Sequence, residues 1–249
     1  MRQFILSALA IFAMLAPAQA QEKKPMKETI AVIGTGRMGG AFGGTLAALG
    51  HPIIYGSRDT AKPAVQELLS KTKGAKADTP KGAAAAAQIV VLAVPWTGAE
   101  ESIKALGDLS GKIVIDATNA LNFTQSGMEM AVPTSAGEII QGWLPNAKVV
   151  KAFNTVGFFV IANPKVTSEG PVAVFLASND EAAKIRVRDL VAAMGFQPVD
   201  VGGIKNARAL EAMSILYMVP YLGGKPADAF EWAVRNTGGK ATGKVRPAQ

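Results

Sequence analysis

The chain has 249 residues, 49% of them hydrophobic, with 26 basic and 19 acidic side chains, one histidine and no cysteine. That size and apolar content fit a globular protein of one large or two modest domains. The lack of cysteine excludes a disulfide framework, a thiol nucleophile and thiolate metal ligation, and one histidine leaves no metal-site pattern. The formal net charge of +7 is spread along the chain, densest at Lys23, Lys24, Lys27 and at Lys71, Lys73, Lys76. A nucleic-acid surface would cluster its basic residues among exposed aromatics, so these charges read as a solvated face.

In chain order, MRQFILSALAIFAMLAPAQA (1–20) combines Arg2, an apolar run from Phe4 to Ala16 and an Ala18-Gln19-Ala20 cleavage pattern. It reads as a secretory signal peptide. The run is shorter than the roughly 20 residues a membrane span needs. The expectation is a cleaved, periplasmic or secreted protein without stable membrane insertion, starting near Gln21, with a linker over 21–28. Translation starting at Met26, in MKETIAVIGTG, would instead give a cytoplasmic protein.

From Thr29, short apolar runs alternate with helical stretches. TIAVIGTG is a buried strand entering a glycine turn, and Met38 to Gly50 a small-residue helix ending at glycine. PIIYGS is a second strand. Helices follow over 61–69 and 81–87, then the strand IVVLAVP (89–95), a helix over 98–106, the strand KIVIDATN (112–119), a helix over 135–143 and the strand KVVKAFN (148–154). After Pro164 come a strand in PVAVFLAS, a helix over 180–194, a short strand in PVDVG and an apolar helix over 206–222. Continuous Val/Ile runs between helices mark a parallel sheet covered on both faces. The predicted fold class is α/β: a Rossmann-type doubly wound sheet over 29–164, a smaller C-terminal α/β portion over 165–235, and a disordered tail over 236–249.

IGTGRMG sets Gly34, Gly36 and Gly39 in G-x-G-x-x-G register between a strand and a helix. The pattern serves a tight turn, close approach of backbone to a pyrophosphate, and packing of helix on strand. Thr35, Arg37 and Met38 fall in the same turn, where free N–H groups face an anion. About 20 residues further on, where an NAD site carries an acidic residue, stand Ser57 and Arg58. A guanidinium with a hydroxyl suits the 2′-phosphate of NADP. Lys62 is a candidate second cation, and Asp59 is the competing reading, a ribose acid displaced by one position. Val94, Pro95 and Trp96 close the most hydrophobic strand at its carboxyl end, the ligand-binding edge of such sheets.

The glycine turn, GHPIIYGSR, VLAVPW, KVVKAFNTVG and VGGIKNARALEAM, in that order across 29–222, together resemble the deazaflavin-dependent NADP oxidoreductases of the coenzyme F-420 family. Metalloreductases that use FAD share this domain. The resemblance implies NADP along Gly34 to Gly39, Ser57 and Arg58, with its nicotinamide near Val94, Pro95 and the stretch Asn154, Thr155, Val156, Gly157, Phe158. It implies a second ring, deazaflavin F-420 or FMN/FAD, stacked there under the loop carrying Lys205, Asn206 and Arg208. Where archaeal members have a His-Thr-Ile-Pro-like pattern, this chain has Asn154-Thr155-Val156-Gly157, followed by Phe158 and Phe159.

Hydride transfer between stacked rings needs orientation and exclusion of water, not a side-chain base. No catalytic residue is therefore assigned; His51, at the start of a strand, reads as structural, and Lys151 as a strand-face or edge residue. The expected function is an NADP-dependent oxidoreductase with a small-molecule or flavin-type acceptor, no nucleic-acid partner and a homodimer as an open possibility. Two alternatives stand: a non-catalytic NADP-binding module for a membrane or redox partner, and an imine reductase of pyrroline-5-carboxylate type. The short C-terminal portion weighs against the latter.

Overall fold

The structure, a computed structural model, describes residues 27–125, 127–166, 170–222 and 230–235. The expected signal peptide and tail lie outside them, as does most of the linker.

Six strands form one all-parallel sheet: β1 (Ile30–Ile33), β2 (Ile53–Gly56), β3 (Lys76–Asp78), β4 (Ile89–Leu92), β5 (Ile113–Asp116) and, after a hairpin of β6 (Leu121–Thr124) and β7 (Gly127–Met130), β8 (Lys148–Lys151). Their spatial order is β3-β2-β1-β4-β5-β8, the doubly wound order whose direction reverses between β1 and β4. The crossovers are α1 (Arg37–Ala48), α2 (Pro63–Lys71), α3 (Pro80–Ala86), α4 (Ala99–Lys104) and α5 (Ala136–Trp143). Beyond β8 come α6 (Phe158–Ala162), β9 (Ala173–Leu176), α7 (Glu181–Ala193), β10 (Gln197–Asp200), a 3-10 turn at Ile204–Asn206 and α8 (Ala207–Leu222).

Every residue of β1 and of β4 is buried, because helices cover both faces. Ile30, Val32, Ile53, Tyr55, Ile89, Val91, Ile115 and Val150 point to one side, where they pack with Phe42 of α1, Val160 and Ile161 of α6 and Val187 of α7. Ala31, Ile33, Val90, Leu92, Val114 and Val149 point to the other, onto α3, α4 and α5. The first of these cores continues without a break into Val172, Val174 and Leu176 of the C-terminal portion. There β9 and β10 pair in parallel, and a bridge from Lys151 to Ala177 joins them to the main sheet.

Four elements differ from the sequence expectation: β3, β6 and β7 of the hairpin, and α6. β3 is three residues long with Lys76 and Asp78 exposed, so it has no apolar run to read. α6 was absorbed into the segment following β8.

Candidate functional site

At the carboxyl ends of β1, β2, β4 and β5 lies a cleft of about 1400 Å³, lined by Gly34 to Met38, Gly56 to Asp59, Ala93 to Gly98, Ala117 to Asn119 and others. It opens at the strand-order reversal, where doubly wound sheets bind their ligands.

The three glycines of the turn have different surroundings. Gly34 has φ +108°, and a Cβ there would meet Ala93 O at 2.3 Å. A Cβ on Gly39 would meet Gly34 O at 1.8 Å, so the first turn of α1 packs directly on the backbone of the turn that leaves β1. Gly36 differs: nothing lies within 4 Å of a Cβ built on it. It therefore borders open cleft, the place where a pyrophosphate would approach the chain. Gly36 is also the N-cap of α1, with no side chain capping the helix and no acidic residue in its first turn. The start of the helix dipole thus faces the cleft with no acidic side chain in its own first turn. These features fit a dinucleotide.

Beyond β2, Arg58, Lys62 and Lys81 stand exposed on the cleft rim. No ion pair joins any of them to a carboxylate among the described residues. Ser57 is buried, and its hydroxyl donates to Asp59 O at 2.8 Å, so its proton is committed within the loop. Asp59 also lines the cleft, its Oδ1 accepting from Ala61 N–H. Lys81 went unnoticed in the sequence because it enters from the start of α3, well beyond the fingerprint.

The opposite end is apolar. Leu121 and Phe123 of the hairpin, Phe158 at the start of α6 and Met218 of α8 line it together with Asn119. The Arg37 guanidinium sits over the Phe158 ring, 4.8 Å from its centroid. Phe123 is 67% exposed, so its ring stands free on the cleft wall. Val94, Pro95 and Trp96 line the middle, with Trp96 stacked on Trp143 at 5.7 Å.

Asn154, Thr155 and Val156 are buried and do not line the cleft. Asn154 donates through Nδ2 to Leu210 O (2.7 Å) and to Asn119 Oδ1 (3.1 Å), while Asn119 Nδ2 donates to Asn154 O (2.9 Å). It supports Asn119 from behind rather than projecting into the cleft. Phe153, with φ +63°, directs this turn; the conformation costs a bulky residue of order 1–3 kcal/mol. Its ring is held edge-on between Phe42 and Phe196. Gly157 donates its N–H to the Tyr217 hydroxyl at 2.9 Å. Of the late loop, Asn206 donates to Val201 O and Arg208 forks onto Glu138; neither they nor Lys205 line the cleft. His51 is buried, its Nδ1 bonded to Glu28 O at 3.0 Å, a structural tie.

Parallel strands in this order, a glycine turn with an open middle position and a ligand cleft at the reversal define a Rossmann-type dinucleotide-binding protein. A profile of the family described as "NADP oxidoreductase coenzyme F420-dependent" matches residues 29–120. The F420-dependent NADP reductase of Methanothermobacter marburgensis is 30% identical over 207 residues, covering 75% of this chain and 89% of its own. The chain belongs to the F420-dependent NADP oxidoreductase family. The crystal structure of a candidate F420-dependent NADP-reductase from Arthrobacter sp. FB24 matches with a TM-score of 0.76 and 30% identity, covering 84% of this chain and all of that one. Human metalloreductase STEAP2 is 27% identical over 78% of this chain, which spans only 37% of that protein's length.

Proposed function

We propose that the chain is an NADP-dependent oxidoreductase that moves hydride between NADPH and a flat aromatic acceptor, a flavin or a deazaflavin. One observation carries the reading: a single cleft runs from Arg58, Lys62 and Lys81, cations that no described carboxylate pairs, past the open position at Gly36, to the apolar walls of Leu121, Phe123, Phe158 and Met218. The cationic end suits a 2′-phosphate. The apolar end suits a ring that must meet the nicotinamide out of water.

NADPH, when bound, supplies the hydride; the chain's residues orient and enclose. N–H groups at the start of α1 take the pyrophosphate, Arg58 forks onto the 2′-phosphate, and Val94 and Pro95 support the nicotinamide. Phe123 and Phe158 flank the acceptor, with Arg37 beside them for any anionic group it carries.

The test is NADPH absorbance at 340 nm, followed with deazaflavin, FMN or FAD as acceptor. Oxidation dependent on one of these supports the reading. Tight NADPH binding with no oxidation by any of the three would favour a non-catalytic nucleotide-binding module. Export through a cleaved N-terminal signal belongs to the same proposal, and the N-terminal sequence of the mature protein tests it: Gln21 for export, Met26 for the cytoplasmic start.

A further inference from the structure

Behind the cleft, Lys151 of β8, Asp116 of β5 and Glu211 of α8 meet with side chains fully out of solvent. Lys151 Nζ donates to Asp116 Oδ2 at 2.9 Å and to Thr118 O at 2.6 Å, and lies 2.8 Å from Glu211 Oε1. All three ammonium protons are thereby used. Asp116 Oδ1 accepts from Thr118 N–H (2.9 Å) and from its hydroxyl (2.7 Å). Glu211 accepts from Ala120 N–H (3.1 Å), and from Ala136 N–H (2.9 Å) and Gly137 N–H (3.2 Å) at the start of α5. Two carboxylates against one ammonium leave a buried negative charge, and those helix-start N–H groups face it.

The three charges are not a proton relay. Burial alone would push the Lys151 ammonium down, but the attraction of Asp116 and then Glu211 outweighs it and holds its pKa above the ordinary lysine value. Lys151 is also sealed from the cleft. Nor is a buried ion network of this kind a favoured source of stability, since well-packed apolar residues of equal volume often serve as well or better. Besides the Ala136 and Gly137 N–H groups at the start of α5, the network holds one short segment beside the cleft: the N–H, hydroxyl and carbonyl of Thr118 and the N–H of Ala120. Between them Asn119 is held by Asn154. Thr118 and Asn119 form the cleft wall at the end of β5.

We propose that Lys151, Asp116 and Glu211 are positioning residues that fix the 118–120 wall and so govern how the nicotinamide half of the dinucleotide sits, leaving the adenosine half, at Arg58, independent of them. This rests on the NADP reading above.

Adenosine 2′,5′-bisphosphate fills only the adenosine half, so the test compares its dissociation constant with that of NADPH in the full chain and in Lys151→Met. The expected result is bisphosphate affinity within about threefold of wild type, NADPH affinity weakened about tenfold or more, and turnover with the working acceptor lowered about 100-fold, the scale of a wall displaced by about 1 Å. Equal weakening of both ligands, or no change in either, overturns the proposal. If Lys151→Met does not fold, the near-isosteric Glu211→Gln takes its place with the same comparison. Failure of both to fold assigns the network to the fold itself and overturns a positioning role. A wild-type protein that binds neither ligand overturns the NADP reading, and this inference with it. Binding of both ligands to wild type, with both weakened alike in the variant, overturns this inference alone.

Discussion

At the nucleotide end of the cleft, most of the wall comes from residues 33–62, one β-α-β stretch, and much of its chemistry is backbone: glycines without side chains and the N–H groups of a helix start. At the apolar end, Leu121 and Phe123 come from a hairpin, Phe158 from α6 and Met218 from α8, elements far apart in the chain that only folding brings together. The contrast separates two kinds of requirement. Binding a pyrophosphate needs backbone geometry, which a local motif can encode. Seating a particular ring needs a shaped wall, which only the assembled fold provides.

The sharpest break of that contrast lies within the glycine turn. Gly36→Val should abolish NADPH binding and lower the melting temperature only by the small cost of a poorer N-cap, because its Cβ would point into open cleft with nothing within 4 Å. Gly39→Ala should lower the melting temperature, because its Cβ would collide with Gly34 O. Calorimetry alongside a binding titration reads both, and a Gly36→Val as destabilised as Gly39→Ala would show that position to be structural.

Next in size, Arg58→Ala should remove most of the preference for NADPH over NADH. One charge-assisted pair contributes about 1.5–3 kcal/mol, or roughly 10- to 100-fold. Equal affinities for the two nucleotides in the unaltered protein would sink this claim, and tighter binding of NADH would mean that Asp59, which also lines the cleft, sets the choice.

At the other end, Phe123→Ala should raise the acceptor KM about 3- to 10-fold, the range of a lost aromatic contact of about 0.5–1.5 kcal/mol. NADPH affinity should not move. A change in both would mean that the two ends do not act separately.

The smallest effect concerns residues 230–235, which lie along β9 with Ala173 N–H donating to Trp232 O at 2.7 Å. Glu231 accepts from the Tyr217 hydroxyl, the group that also receives the Gly157 N–H. Burial pushes the Glu231 carboxyl up to about 7, against the lowering effect of the Tyr217 hydrogen bond. Among the described residues, Tyr217 and Tyr221, both on α8, are the neighbouring titratable groups, and Glu231 Oε2 is buried without a hydrogen-bond partner. A carboxyl raised in the folded state favours folding below its unfolded value, near 4.5, and loses that contribution as pH climbs through about 7. Protection of the Ala173 amide from hydrogen exchange should therefore be greater at the acidic end of that window than above it. Glu231→Gln should flatten the dependence; a slope that survives the substitution would place the titration elsewhere.

The sheet was legible because fully buried parallel strands leave continuous apolar runs, and in IAVI and IVVL the β-branched residues and the glycine or proline that follows decide for strand over helix. The nucleotide end was legible for a related reason: Gly34 and Gly39 stand where the backbone leaves a side chain no room, Gly36 stands where one would fill the cleft, and Arg58 follows at a fixed distance along one chain segment. The hairpin is written in LNFTQSGMEM, whose Ser126-Gly127 dipeptide is a turn signal. Its Phe123 looks like any exposed aromatic until the fold brings it beside Met218, nearly a hundred residues away. Asn154 shows the limit of reasoning from strand ends. It does follow the carboxyl end of β8, yet the left-handed turn at Phe153 sends its side chain back toward Leu210 and Asn119. Glu211 left no signal in the sequence, because a glutamate on a helix ordinarily faces water and only the assembled core shows that it does not.

The free edges of the strands also bear on how the protein behaves at high concentration. The outer edge of β3 is three residues long and carries Lys76 and Asp78. β10 has Pro198, which has no N–H to offer, and Asp200, paired with Lys184. The far side of β8 meets Ala177, and the open side of β9 is met by Trp232. Each edge is thus too short, too charged, lacking a donor or already met, the means by which natural sheets avoid adding a neighbour's strand. Along these edges a neighbouring chain finds no ready template for cross-β stacking.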